Sequence, residues 1–215
     1  MKHTALSALL LVGLVSGCAS NVKMKMPTIP EPLVAKIALS VGLRMPENFE
    51  HFVHEESVYG REEWSIDLGA SNRALFTQLF AHMFTSVTVI GPDEDPATLG
   101  LDALVEPSID AFEFSTPSQS KTEAFAVWIR YRLRVYDREG TLISNWPVSA
   151  YGKSLATTMG QGNALQRAAI LAMRDAAALM VMKFDKVTRI SELADDPGDR
   201  PVPEPELEEQ QNGDT

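Results

Sequence analysis

Residues 124–136 read AFAVWIRYRLRVY, and in them Phe125, Val127, Ile129, Tyr131, Leu133 and Val135 alternate with Trp128, Arg130, Arg132 and Arg134. Successive side chains of a strand point to opposite faces of a sheet, so this period of two predicts a strand with one face in the core and one in water. Asp137-Arg138-Glu139-Gly140 supplies a turn and TLISNWPVSAYG (141–152) returns, which predicts an antiparallel hairpin whose far strand is interrupted by Pro147.

Upstream of the hairpin, LDALVEPSIDAFEF (101–114) reads as a strand that Pro107, lacking an N–H, confines to an edge or a bulge, and SVTVIG (86–91) reads as a buried strand. RALFTQLFAHMF (73–84) is helical, because Leu75, Leu79 and Met83, with Phe76, Phe80 and Phe84 beside them, recur every four residues. Ser71 or Asn72 is placed to cap it. Before it, HFVHEESV (51–58) and EWSIDL (63–68) flank Tyr59-Gly60-Arg61 as a candidate hairpin, and LVAKIALSVGLRM (33–45) is the first strand, closed by Pro46. Downstream, Asn163 caps a long helix over 163–190, with Ala164, Leu165, Ala168, Ala169, Ala172, Ala176, Leu179, Met180 and Phe184 on its core side. Arg167, Arg174 and Asp175 interrupt that run and argue against a membrane span. The expected fold is therefore α+β, a mainly antiparallel (mixed) sheet with two helices packed on one face, in the order β-(ββ)-α-β-β-β-β-α.

The chain has 215 residues, 45% of them hydrophobic and 22% charged, a composition that folds. Its net charge of −10 is uneven, since residues 192–215 hold nine acids and one base, Arg200, while residues 18–191 hold 20 acids and 17 bases. A nucleic-acid partner is excluded, because no basic stripe is available to neutralise phosphates. The acidic, Pro-rich segment 192–215 is expected to be a disordered tail.

The N-terminus carries an address. Met-Lys-His-Thr is followed by ALSALLLVGLVSG and then Cys18, the only cysteine in the chain. A basic start, a short apolar run and small residues form an export signal, and the run is shorter than the roughly 20 residues a membrane helix needs. Val15-Ser16-Gly17-Cys18 resembles the lipobox of bacterial lipoproteins. That resemblance implies that Val15, Ser16 and Gly17 are read by the lipoprotein signal peptidase, that residues 1–17 are cleaved, and that Cys18 carries the lipid. A plain secretory signal with a chance cysteine is the alternative. In the enterobacterial pattern of the lipoproteins that this segment resembles, Ala19 and Ser20 with no Asp at 19 imply sorting to the outer membrane. With no second cysteine there is no internal disulfide. Residues 18–31 then read as a lipidated tether, and 32–191 as a periplasmic αβ domain.

The order of elements behind the lipobox resembles periplasmic lipoproteins of the YajG, LptE and LpoB type and the N-terminal domain of TolB. A group of uncharacterised bacterial lipoproteins is similar too, with a W-x-I-x-L-G here at Trp64 to Gly69 and an E-P-x-I-x-A-F-x-F here at Glu106 to Phe114. No activity comes with either resemblance.

Catalytic signals are weak. His51, His54 and Glu55 lie on a predicted strand, where i and i+3 face opposite ways, so no metal site is expected. Gly160 and Gly162 before Asn163 are better read as a loop before a capped helix than as an anion cradle. Asp93, Glu94 and Asp95 lack calcium-loop spacing. No serine lies in a Gly-x-Ser-x-Gly elbow and no His follows residue 82. No catalytic residue and no cofactor are expected. The surface feature of interest is the strand face of Trp128, Arg130, Arg132 and Arg134, which either pairs with Glu106 and Asp110 on the preceding strand or docks a partner. The sequence thus predicts a non-catalytic, membrane-anchored accessory factor with an envelope protein as partner. A lipid or glycolipid carrier with an apolar cavity is the alternative, and an envelope hydrolase is less favoured.

Overall fold

The structure is a computed structural model and describes residues 18–25, 29, 31–32, 34–156 and 160–187. Residues 1–17, expected to be a cleaved signal, and 192–215, expected to be a disordered tail, lie outside the described residues. In chain order the elements are β1 (Cys18–Lys23), β2 (Ile37–Arg44), the one-turn α1 (Glu47–Glu50), β3 (Val53–Val58), β4 (Glu62–Asp67), α2 (Gly69–Met83), β5 (Phe84–Ile90), β6 (Ala103–Ser115), the short α3 (Pro117–Ser120), β7 (Ala124–Asp137), β8 (Leu142–Leu155) and α4 (Gln161–Val187).

The fold is α+β with mixed pairing. Five strands run in the order β5-β2-β6-β7-β8, and three form a smaller sheet in the order β1-β4-β3. The β6-β7-β8 meander is antiparallel, whereas β2 lies parallel to both β5 and β6. The parallel β2–β5 pair is possible because a hairpin and a helix separate the two strands, a crossover long enough to bring the chain back in the same direction. The β3–β4 hairpin leaves the main sheet, and its β4 pairs in parallel with β1.

Both long helices cover one face of the main sheet. The Phe stripe of α2 packs inward, with Phe76 5.4 Å from the Tyr131 ring and Phe80 6.0 Å from Phe184 of α4. Phe184 also meets Phe84 at 5.3 Å and Trp146 at 6.1 Å. At the other end of the same face the small sheet closes the core, with Trp64 5.7 Å from both Phe114 and Phe125. Each fully buried side chain of this size stabilises by about 1.5–3 kcal/mol relative to exposure. α4 comes close enough to β8 that a β-carbon at Gly152 would overlap the carbonyl of Ala168 and the amide of Ala172.

Several local expectations are corrected. The segment 18–31, expected to be a tether, begins with β1. Val22 and Met24 are buried, and Ile29 is buried with its N–H donated to Gln78 Oε1 at 3.0 Å. NVKM therefore carries a short alternation of its own, with Lys23 exposed between buried Val22 and Met24. Ser71 and Asn72 are not caps, because α2 starts at Gly69, whose N–H is taken by Asp67 Oδ1 at 3.0 Å. Asn163 lies inside α4, which starts at Gln161. β5 is an edge strand with Thr85, Ser86, Thr88 and Val89 exposed, not a buried one. β8 continues through Pro147. The Tyr151 N–H points away from β7 and donates to Asp175 Oδ2 at 3.0 Å, and Pro147, four residues earlier, shares that outward side. Its missing N–H therefore removes no ladder bond. Pro107 sits beyond the stretch of β6 that β2 pairs, Ala103–Val105.

Candidate binding face

The face of the main sheet away from the helices is open, and the arginines of β7 stand on it. A bulge between Ile109 and Ala111 sets their partners. Before it Glu106 and Ser108 face out; after it Phe112 and Phe114 face in, and Asp110, the extra residue, turns toward β7. Arg132 holds Asp110 with Nη2 2.6 Å and Nε 2.9–3.0 Å from the carboxylate, and gives Nη1 to Asn145 Oδ1 at 3.2 Å. The hydrogen bond to Asp110 raises the Arg132 pKa above its ordinary value.

Arg134 Nη1 lies 3.8 Å from Glu106 Oε2. The other oxygen, Oε1, takes Arg44 Nη1 at 3.0 Å, and the Tyr136 hydroxyl donates to Oε2 at 3.2 Å. Burial and the Glu106 charge raise the Tyr136 phenol pKa. This half of the face is occupied by its own ion pairs.

The other half is open. Arg130 donates Nε to Ser149 Oγ at 3.3 Å and, among the described residues, forms no ion pair. Trp128 lies opposite Tyr151 with ring centroids 5.1 Å apart and planes at 48°, each residue 43% exposed. A shallow hollow of about 220 Å³ lies between Glu113, Ala111, Trp128, Arg130 and Ser149. The arrangement offers two aromatic faces, one guanidinium and one carboxylate to a partner. Tyr151, Ser149 and Glu113 are brought to Trp128 by the cross-strand register, which the sequence does not display because a bulge at Val135/Tyr136 offsets the hairpin count.

The remaining candidates are dispersed. His54 is hydrogen-bonded to Glu56 at 3.1 Å and packs on the Phe112 ring at 5.0 Å, while His51 is exposed at the end of α1. Gly162 lies in the first turn of α4 against Val22. Glu94 and Asp95 bond to the Gly91 and Ala97 amides of their own loop. Among the described residues no three His, Cys, Asp or Glu side chains gather as a metal site, and no helix is long and apolar enough to cross a membrane.

An apolar groove of about 420 Å³ opens on the helix side between Leu79, Ala177, Val181 and Met182 and the incoming segment at Ile29, Pro32 and Val34. The space between helices and sheet is filled by the phenylalanine rings. Val15, Ser16 and Gly17 lie outside the described residues, and the backbone of Cys18 forms the first pair of β1, opposite Glu62.

No family model and no curated protein matches the sequence. Among solved structures, the chain is similar to protein XCC0632 from Xanthomonas campestris, of the family DUF330, with a TM-score of 0.50 at 10% identity, covering 77% of this chain and 97% of that one. It is also similar to a putative lipoprotein from Caulobacter crescentus (TM-score 0.37, 15% identity, 59% and 85% covered) and to lipoprotein GNA1162 from Neisseria meningitidis (TM-score 0.30, 13% identity, 68% and 98% covered). At these identities the likeness is one of fold.

Proposed function

We propose that this protein is a lipid-anchored, periplasm-facing lipoprotein of the outer membrane that works without catalysis, as a binding or accessory factor for another envelope component. The sequence support is the lipobox ending at Cys18, the only cysteine. The observation that carries the binding role is the open Trp128–Tyr151 pair beside Arg130, on a sheet face that no helix covers. Aromatic residues and arginine dominate the centres of protein interfaces, and a strand pairs them here on a rigid surface. Kinship with the YajG, LptE and LpoB lipoproteins has the order of elements as its support.

The test is quantitative crosslinking in intact envelopes, with the tagged lipoprotein and its Trp128→Ala variant as baits. A specific partner should be recovered with wild type and depleted with the variant at equal bait level. Equal recovery would remove this face from the reading. Anchoring is read separately: Cys18→Ala should accumulate as precursor, and a variant still processed and still sedimenting with outer membrane would end the lipobox reading.

A second reading, a carrier of lipid, draws on the groove along α4. It predicts that purified protein releases lipid on organic extraction, in an amount that Ala177→Trp reduces.

A further inference from the structure

If Cys18 carries the lipid, as proposed above, no linker separates the anchor from the fold. β1 pairs with β4 from its first residue, Cys18 opposite Glu62. The end of the molecule that holds Cys18 is therefore fixed, and three connections meet there. The β3–β4 turn, Tyr59-Gly60-Arg61, runs directly into Glu62. The β6–β7 connection reaches the same place, with Ser118 Oγ 3.5 Å from Glu62 Oε1. β8 ends beside it, since Leu155 pairs with Ala124, the first residue after that connection.

Two unusual features concentrate at this end. Tyr59 and Leu155, 69% and 63% exposed, are the most exposed large hydrophobic side chains among the described residues. Tyr59 and Lys121, both at φ 54°, are also the only described non-glycine residues with positive φ. Tyr59 and Gly60 (φ 64°) form a two-residue turn closed by the Arg61 N–H on the Val58 carbonyl at 3.1 Å. Glycine or asparagine takes the first position of such a turn readily, whereas a bulky aromatic is strained there. The chain thus holds a strained, water-exposed tyrosine three residues before Glu62, the strand partner of the residue read as its anchor, and backbone strain of this kind gathers at functional sites.

We propose that this end of the fold lies on the phospholipid surface, with Tyr59 and Leu155 at the boundary between headgroups and acyl chains and with Arg61 and Lys121 at the phosphates. Tyrosine suits that boundary because its ring is apolar and its hydroxyl is wet. The acids nearby are partly engaged: Glu62 takes the Trp64 indole N–H at 3.4 Å and Glu63 takes the Ser57 hydroxyl at 2.6 Å. Glu123 is exposed, so the contact rests on apolar insertion and on an anchor joined directly to β1 rather than on net charge. The bilayer then fixes which way the Trp128 face points.

The experiment uses the full mature lipoprotein with Tyr59→Cys, Leu155→Cys or, at the opposite end, Glu139→Cys, each labelled with an environment-sensitive fluorophore. The proteins are reconstituted in phosphatidylethanolamine–phosphatidylglycerol vesicles containing a spin-labelled quencher lipid. Quenching should be severalfold stronger at 59 and 155 than at 139. Equal quenching at all three, on protein whose Cys18 lipid is confirmed by mass spectrometry, overturns the membrane-facing end and leaves the anchor intact. A Cys18 found without lipid overturns the anchor reading, and this proposal with it. Tyr59→Gly is the second arm: it should raise Tm while lowering quenching at 155, and a fall in Tm with unchanged quenching would make Tyr59 a structural residue and overturn its role.

Discussion

Asn72 joins three elements through one side chain. Its Nδ2 donates to the Phe49 carbonyl of α1 at 3.3 Å, and its Oδ1 accepts the hydroxyl of Tyr131, in the middle of β7, at 3.0 Å. Burial pushes the Tyr131 phenol far above its ordinary value of 10.0. The folded state favours the neutral phenol, so this contribution to stability is complete below pH 10.0 and falls as the pH rises beyond it. Tyr131→Phe should cost about 1–3 kcal/mol at neutral pH, because it leaves Asn72 Oδ1 buried without its donor. The same variant should lose less stability than wild type between neutral pH and pH 11 in urea titrations; a parallel loss would mean that other groups govern alkaline unfolding. Arg132 is the opposite case, a half-buried strand residue tied to Asp110 at the surface, where ion pairs contribute little. Arg132→Ala should leave Tm nearly unchanged, with partner recovery in the crosslinking assay reporting any docking role.

At the scale of the element, α4 and β8 are fitted to each other at the backbone. Gly152→Ala places a methyl against the Ala168 carbonyl and the Ala172 amide, neither of which can turn away as a side chain does. The expected loss is at least about 2 kcal/mol, read from the denaturation midpoint. α2 contributes through its stripe, in which Phe76 and Phe80 are fully buried. Phe80→Ala should cost about 3–5 kcal/mol, a large part of the stability of a domain without disulfides. A Phe80→Ala protein melting like wild type would mean that the stripe faces a ligand space instead of a packed core. The edge of β8 is partly protected as well, by Asp175 on the Tyr151 N–H and by Pro147, which offers no donor. A long free edge is a template for unwanted pairing, and both devices remove donors from it.

For the whole molecule, β1 decides the outline. Val22 and Met24 are 6% and 3% exposed, and Met24 donates its N–H to the Asp67 carbonyl at 3.0 Å. A chain beginning at residue 26 should therefore unfold at clearly lower temperature than one beginning at residue 18, by several degrees, since each buried side chain of this kind contributes about 1.5–3 kcal/mol. An unchanged Tm would return residues 18–25 to the role of tether. β1 also pairs from Cys18 onward with β4, so under the proposed lipidation of that residue the direction of the Trp128 face would follow the plane of the membrane.

What the sequence determined by itself is whatever depends on neighbours along the chain. The alternation of 124–136, the four-residue spacing of Leu75, Leu79 and Met83, and the turns at Tyr59-Gly60 and Asp137–Gly140 located most strands and both long helices, because periodicity reports burial within one element. The same local logic puts Glu106 and Asp110 on the strand beside the arginines, where the structure pairs them with Arg134 and Arg132. What only the tertiary structure decided is pairing between distant segments. The departure of β3–β4 into a second sheet, the parallel placing of β2, the exposure of β5 and the packing of β1 depend on which strand edges meet, and backbone hydrogen bonds are nearly indifferent to side-chain identity. The binding face was half legible for that reason. Trp128 and Arg130 stand in the alternation for anyone to count, but Tyr151 and Glu113 reach them only through a register that two bulges shift, and a bulge is set by how the sheet must twist over its core.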